Sequence, residues 1–417
     1  MARANFTTGA YFMAAFLNPF KPGAGHMPPY LAGREDEKKE FERLLSQKTI
    51  LENLVLTGLR GTGKTVLLET FKPMAQKERW LWVGTDLSES ASLNEVNIAT
   101  RLLTDLSVVT SGIKFAESSS VEGIGFSRTE QTTSHNLNYA SLVHIYESTP
   151  GLVADKVKNV LEIVWRALET SGVSGIVFAY DEAQNLSDHA QKDQFPLSLL
   201  LDTFQSIQRK GIPFMLALTG LPTLFPKLVE ARTYAERMFR VVFLDKLSDE
   251  AVSDAIEIPM KGCPIPLTKP SIKQIISLSG GYPYFVQFIC REVYDVFIQK
   301  VDGGEKASVP AFEILRKLDT DFFVGRWARA TDRQRELLGV ISELDNCTGE
   351  FSVQDVVVKS KEGADKPFSS SHVNQMLSSL TEAGLVYKNR HGKYSFAVPL
   401  LGQFIQRQKI EGLSRQI

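Results

Sequence analysis

One glycine-rich turn constrains this chain more than any other stretch. Leu54 to Thr57 is an apolar run of the buried-strand type, Gly58-Leu59-Arg60-Gly61-Thr62-Gly63-Lys64-Thr65 follows it, and Val66-Leu67-Leu68 opens a helical pattern. Strand, G-x-x-x-x-G-K-T and helix in that order are the context of a phosphate-binding P-loop. Glycines let main-chain N–H groups close around phosphate oxygens without a Cβ in the way. The helix N-terminus adds donors and a partial positive charge. The whole segment from Gly58 to Val66 is therefore a candidate nucleotide cradle. In it Lys64 suits the β- and γ-phosphates, and the Thr65 hydroxyl suits Mg²⁺.

At 417 residues the chain is long enough for two or three domains with their own cores. A net charge of −1 removes any global attraction to nucleic acid or anionic membrane, so DNA binding would need a local patch. Cys263, Cys290 and Cys347 are odd in number and far apart, which gives neither a disulfide framework nor a zinc spacing and fits a reducing, cytoplasmic setting. No run reaches the roughly 18 apolar residues of a membrane span. The start, Arg3 followed by Tyr11 to Leu17, has a short apolar part and no convincing cleavage site, so it is not read as a signal peptide.

Residues 1–32 are rich in Pro, Gly and aromatics and read as an extended strap, either a packed N-terminal arm or a cover over a bound adenine. Gly33-Arg34-Glu35-Asp36-Glu37 then opens an amphipathic helix with Phe41, Leu44 and Leu45 on its apolar face. Trp80 to Gly84 reads as a second strand, and Asn94–Leu106 as a helix. Residues 107–140 are rich in Ser, Thr, Gly and Asn and read as an inserted hairpin or loop, with alternating pieces at Gly112–Phe115 and Val121–Phe126. A long helix is expected over Ala154–Glu169. Gly175–Tyr180 is a second buried-type strand that ends in Asp181-Glu182. An acidic pair at that position is a Walker B arrangement, with Asp181 holding Mg²⁺ and Glu182 orienting the attacking water. Pro213–Leu218 is a further strand whose tip, Thr219, either contacts the γ-phosphate or the lytic water or merely starts a turn. With Val241–Leu244, at least four strands alternate with helices, which specifies a parallel α/β sheet over residues 33–246.

Residues 247–325 read as a small helical lid. Ser248 caps its first helix, Gly280-Gly281-Tyr282-Pro283 separates two others, and Tyr284–Gln299 is apolar-faced. In residues 326–417, helices at Arg333–Leu344, from Val353 and at Ser369–Ala383 precede two alternating strands, Gly384–Lys388 and Tyr394–Val398. That order is the winged-helix variant of helix-turn-helix. Ser369, Ser370, Ser371, His372, Asn374 and Gln375 could read base edges while Lys388, Arg390 and Lys393 meet phosphates, or the module could dock protein.

These residues resemble the AAA+ ATPases near the origin-recognition and initiator group and related bacterial ATPases. GLRGTGKT is similar to that family's Walker A and AYDEAQ to its Walker B. The strap with Ala32-Gly33-Arg34-Glu35 is similar to its adenine-side motif. The resemblance implies ATP hydrolysis with Mg²⁺, a catalytic set of Lys64, Glu182 and Thr219, and nucleotide contacts from Tyr30, Leu31 and Arg34 and from Tyr282 and Pro283 in the lid. It also implies a homo-oligomer completed by an arginine finger, for which Arg237 competes with Arg232 and Arg240. The lid turn departs from the initiators, which carry a sensor arginine there; Arg291 lies two helical turns further on. The Gly-x-Pro turn is closer to the STAND signalling ATPases, so a nucleotide switch that recruits a protein effector, as in stress or antiviral defence, stands as the second expectation.

Overall fold

The structure, a computed structural model, describes residues 17–112, 114–121, 129–261, 263, 267–302, 309–363, 366–390 and 392–414. The parts of the strap and signal-like readings that fall on residues 1–16 lie outside them. The chain forms two compact units. One is Glu35–Thr57 with Leu67–Phe243; the other is Met1–Arg34, Gly58–Val66 and Leu244–Ile417.

The first unit is built on a sheet of five strands in the order β2-β5-β6-β1-β7, with β1 Asn53–Gly58, β2 Trp80–Val83, β5 Gly175–Tyr180, β6 Phe214–Gly220 and β7 Phe239–Leu244. Strands β2, β5, β6 and β1 pair in parallel, with Val83 opposite Phe178, Ala179 opposite Ala217 and Leu56 opposite Thr219. Every residue of β1, β5 and β6 is buried, as expected of parallel strands covered on both faces. The helices flanking this sheet are α1 Glu35–Leu45, α2 Lys64–Lys77, α3 Glu95–Thr110, α4 Tyr139–Ser148, α5 Val153–Leu168, α6 Pro196–Arg209, α7 Leu224–Ala231 and the short α8 Ala235–Met238. Helix α5 buries Val157, Val160, Leu161, Val164 and Leu168, the i, i+3, i+4 stripe of an amphipathic helix. In α1, Phe41 stacks on Phe71 at 4.2 Å between ring centroids.

The inserted stretch is shorter than its composition suggests. Helix α3 runs on to Thr110, whose Oγ1 donates to Leu106 O (3.0 Å) and Leu137 O (2.6 Å), tying the two ends of the insert together. Between them β3 Lys114–Val121 and β4 Thr129–Asn136 pair antiparallel in a separate two-stranded sheet, so the strands are longer and later than the pieces expected at Gly112–Phe115 and Val121–Phe126. Helix α4, capped by Asn138 Oδ1 accepting from Ser141 N, was not expected either.

The second unit contains α9 Asp249–Glu257, α10 Lys269–Ser279, α11 Pro283–Asp302 and α12 Ala311–Leu318, then a π-helical turn at Asp319–Val324 leading into α13 Gly325–Trp327. Ser248 Oγ accepts from Ala251 N at the start of α9, the expected cap. Helix α14 Asp332–Ser342 leads to β8 Phe351–Ser352, α15 Val353–Gly363, α16 Ser370–Glu382, β9 Val386–Arg390, β10 Lys393–Phe396 and α17 Leu401–Ser414. The strands form an antiparallel sheet in the order β8-β10-β9. Of the expected strands, Gly384–Lys388 lies two residues later than expected, and Tyr394–Val398 starts one residue and ends two residues earlier. Leu385 and Val398 are fully buried instead, and Ala397 N donates to Leu385 O. Strand β8 and helix α17 were not expected; Leu401, Phe404 and Ile405 of α17 join one core with Leu337, Leu338 and Phe323.

Candidate functional site

Strands β1, β6 and β5 are neighbours and run parallel, so their carboxyl ends lie on one edge of the sheet. Three polar residues stand at those ends: Thr57 on β1, Thr219 on β6 and Asp181 after β5. Ligands of open α/β sheets bind beyond such carboxyl ends. Asp181 is 5% exposed, and its Oδ1 accepts from Glu182 N at 2.8 Å. The hydroxyls of Thr57 and Thr219 are buried and have no hydrogen-bond partner among the described residues. A buried hydroxyl without a partner costs about 1–3 kcal/mol, so its persistence at a functional edge fits a bound polar group. Sequence reasoning singled out Thr219 and missed Thr57, although it directly precedes the glycine turn.

Glu182 is exposed and adopts φ 51°, ψ 32°, a left-handed conformation that a non-glycine residue occupies only under constraint. It kinks the chain out of β5 into a short 3₁₀ turn at Ala183–Asn185. Its carboxylate accepts from Gln184 Nε2. Two residues upstream of it, the Tyr180 hydroxyl, fully buried, donates to Asp105 Oδ2 (2.9 Å), which also accepts from Arg101 Nε (2.9 Å). Burial is the main reason the Tyr180 phenol is pushed well up from its usual range. The root of the acidic pair is therefore pinned to α3.

The glycine turn belongs to the other unit. A Cβ on Gly58 would stand 2.4 Å from Leu244 O, and Gly63 has φ +90°, so neither position tolerates a side chain without strain. The carbonyls of the turn are satisfied by protein donors. Lys64 Nζ donates to Gly58 O and Leu59 O (both 2.9 Å), Tyr284 N to Gly61 O (3.1 Å) and Arg34 Nη2 to Thr62 O (3.0 Å). Turning the carbonyls toward protein donors is the arrangement that frees the opposite side of the turn for an anion. Arg34 is 5% exposed and also donates to Asp245 O (2.8 Å), so its guanidinium braces main chain. Tyr30 is exposed and Leu31 half-buried. In the lid turn, Gly281 O accepts from Leu247 N (2.8 Å), Pro283 is the first residue of α11, and Tyr282 is half-buried with its phenol pushed up chiefly by burial. The lid residue that touches the glycine turn through its main chain is Tyr284, one beyond the expected pair. Arg291 lines a cavity of about 420 Å³ with Asn18, Phe20, Lys21, His26 and Asp295.

Of the three candidate finger arginines, Arg232 bonds Asp202 twice (2.9 and 2.7 Å) and Arg240 bonds Glu40 (2.9 Å). Arg237 is exposed and has no carboxylate partner among the described residues. Ser369, the N-cap of α16, and Ser370, Ser371, His372, Asn374 and Gln375 on it are all exposed, as is Lys388 on β9, while Lys393 lies 4.0 Å from Asp355. The Arg390 side chain lies outside the described residues.

Taken by itself, the glycine turn fits a phosphate anion by its donor chemistry; taken by themselves, the two hydroxyls and the buried Asp181 at the sheet edge fit a hydrated magnesium ion. A family model described as an AAA domain matches residues 52–228, which include β1, β5 and β6. A second, described as a domain of unknown function (DUF8462), matches residues 320–405. No curated protein matches the chain. Among solved structures, the Walker-type ATPase PABY2304 of Pyrococcus abyssi is similar with a TM-score of 0.54 at 14% identity, over 90% of this chain and 96% of that one. The Orc1 protein of Aeropyrum pernix, solved in complex with DNA, gives 0.44 at 14% over 94% and 96%, and Cdc6p from Pyrobaculum aerophilum 0.44 at 15% over 94% and 97%. Residues 52–228, which carry β1, the glycine turn, β5 and β6, thus match the AAA domain family, and the first fold match shows that the fold is that of a Walker-type ATPase.

Proposed function

We propose that the chain binds ATP with Mg²⁺ and hydrolyses it to drive assembly of a homo-oligomer that acts on DNA. The observation that supports the nucleotide reading most is the sheet edge where Thr57, Thr219 and Asp181 stand at adjacent parallel strand ends and β1 leads directly into the glycine turn. Lys64 neutralises phosphate charge, Glu182 orients and deprotonates the attacking water, and Thr219 holds that water or the γ-phosphate. Thr65 and Asp181 would hold the magnesium ion, which when bound supplies charge neutralisation on the phosphate oxygens. Arg237, without a carboxylate partner among the described residues, serves a neighbouring subunit. Residues 326–417 act as a winged helix, with Ser369–Gln375 toward bases and Lys388 and Lys393 toward phosphates.

A second reading is supported by the same helix face. Ser369, Ser370, Ser371, His372, Asn374 and Gln375 include no lysine and no arginine. Such a face also suits protein docking, as in a nucleotide switch that recruits an effector.

Lys64→Ala tests the first step: ATP binding, followed by fluorescence of a labelled analogue, should disappear, and unchanged affinity refutes the assignment. Glu182→Gln should retain ATP and lose turnover. For DNA, the full chain should bind a duplex with a steep salt dependence, and Lys388→Ala or Lys393→Ala should each reduce the slope by about 1, the share of one neutralised phosphate. A slope near zero in the unsubstituted chain favours the docking reading.

A further inference from the structure

Gln184 lies two residues beyond the proposed general base, and three hydrogen bonds converge on it. Its Nε2 donates to Glu182 Oε2. Its Oε1 accepts from Leu221 N at 3.1 Å, at the turn that leaves β6 just after Thr219-Gly220. Its main-chain oxygen accepts from Lys227 Nζ on α7 at 2.7 Å. And a Cβ on Gly220 would stand 2.6 Å from its Oε1, so glycine at that position leaves the room the amide occupies. An amide has one donor end and one acceptor end, and here each end has its own partner, which fixes which way the group faces. Lys227 is half-buried, and burial lowers its pKa from the usual lysine range. It nonetheless holds a carbonyl rather than a carboxylate, as expected of a side chain used as a brace.

We infer that Gln184 is the positioning residue for Glu182, linking the tip of β6, where Thr219 stands, to the carboxylate that activates water. The inference rests on the reading of Glu182 as general base. The chemistry favours an amide here. A neutral donor orients a carboxylate without taking its charge, so Glu182 remains an acceptor for a water proton. A carboxylate in its place would have no donor to offer Glu182 and would repel it. An alanine would leave the carboxylate on a left-handed, exposed turn with no lateral support. Gln184 does not touch the nucleotide; it acts through Glu182.

The test compares steady-state ATPase kinetics and nucleotide affinity of the full chain. Gln184→Ala should lower kcat about 10- to 100-fold, a large part of the 10²–10⁴ that a positioned base contributes, while nucleotide Kd stays within about twofold. Gln184→Glu, which offers acceptors where the amide offers a donor, should lower kcat at least as far. Gly220→Ala, which fills the amide's place, should reproduce the kcat loss, and Gln184→Ala/Gly220→Ala should be no slower than either single variant. Unchanged or raised kcat in Gln184→Ala or in Gln184→Glu, or additive losses in the double variant, would each overturn the inference while leaving Glu182 as base. Wild-type turnover in Glu182→Gln would overturn the base assignment and this inference with it.

Discussion

Asn53, at the amino end of β1, is fully buried and uses all four hydrogen-bonding positions of its amide. Nδ2 donates to Gln208 Oε1 and Met238 O (both 3.2 Å), and Oδ1 accepts from Gln208 Nε2 (2.8 Å) and Leu216 N (2.7 Å). One side chain thus joins β1 to α6, α8 and β6. Asn53→Ala strips a partner from two main-chain groups and from the buried Gln208 amide. At about 1–3 kcal/mol for each group left unsatisfied, with Gln208 keeping its bond to Phe214 O (2.7 Å), the loss should be about 3–5 kcal/mol. With a urea slope of about 2–3 kcal/mol/M, the unfolding midpoint should fall by about 1–2 M. Gln208→Ala shares two of the four bonds, so the double variant should lose about 1–2 kcal/mol less than the sum. Because Asn53 stands at the opposite end of β1 from Thr57, nucleotide affinity below the unfolding midpoint should be unchanged. A loss under 1 kcal/mol, or strict additivity, would refute the reasoning.

Two further outcomes follow from named contacts. Burial alone would raise the Asp202 carboxyl, but bonds from Arg232 and from the Tyr234 hydroxyl (2.6 Å) outweigh it and hold the group below its usual range. A depressed folded-state pKa gives stability that is present above the ordinary value of about 4 and lost as pH falls through the folded value, so Asp202→Asn should flatten the acid limb of urea midpoints between pH 5 and pH 2 or thereabouts. Ser352 and Asp355 cap α15 reciprocally, Ser352 N donating to Asp355 Oδ2 (2.7 Å) and Asp355 N to Ser352 Oγ (3.2 Å), and the first of these bonds is the main reason the Asp355 carboxyl is held low. Ser352→Ala should cost about 1 kcal/mol by thermal melting.

The glycine turn, the acidic pair and Thr219 were legible because each sits within a few residues of a strand end, and an apolar run announces a strand in one dimension. The parallel order of β2, β5, β6 and β1 was legible in kind, since strands alternated with helices. What the sequence hid were contacts between distant residues. Gln184 was visible only as the last letter of a motif; its brace, Lys227, is 43 residues away. Asn53 and Gln208 are 155 apart, and neither carries a local signal. Helix α17 escaped because its apolar residues Leu401, Phe404 and Ile405 follow a strand after a short turn with no polar cap to mark a start. Strands β9 and β10 lie one to two residues from where they were expected because alternation alone does not fix where a hairpin turns, and the register shifts between Lys393 and Tyr394.

The arginines show how partners sort what spacing leaves open. Arg232, Arg237 and Arg240 are chemically equal in the sequence, and any could reach across to a neighbouring subunit. A residue that must enter another active site has to be free in its own chain, because leaving a paired carboxylate costs part of what the new contact gains. Arg232 would have to abandon a two-bond grip on Asp202, and Arg240 its bond to Glu40. Arg237 would abandon no carboxylate among the described residues, and it lies on the short helix immediately before β7. If the chain assembles as proposed, Arg237→Ala should therefore leave the melting temperature of the isolated chain unchanged while lowering turnover of the assembled protein on the order of 10³-fold or more. Arg232→Ala should do the reverse, lowering the melting temperature by leaving Asp202 without its cation and reducing turnover only as far as unfolding removes enzyme. If the melting loss and the turnover loss fall on the same arginine, a finger free in its own chain is the wrong picture of this site.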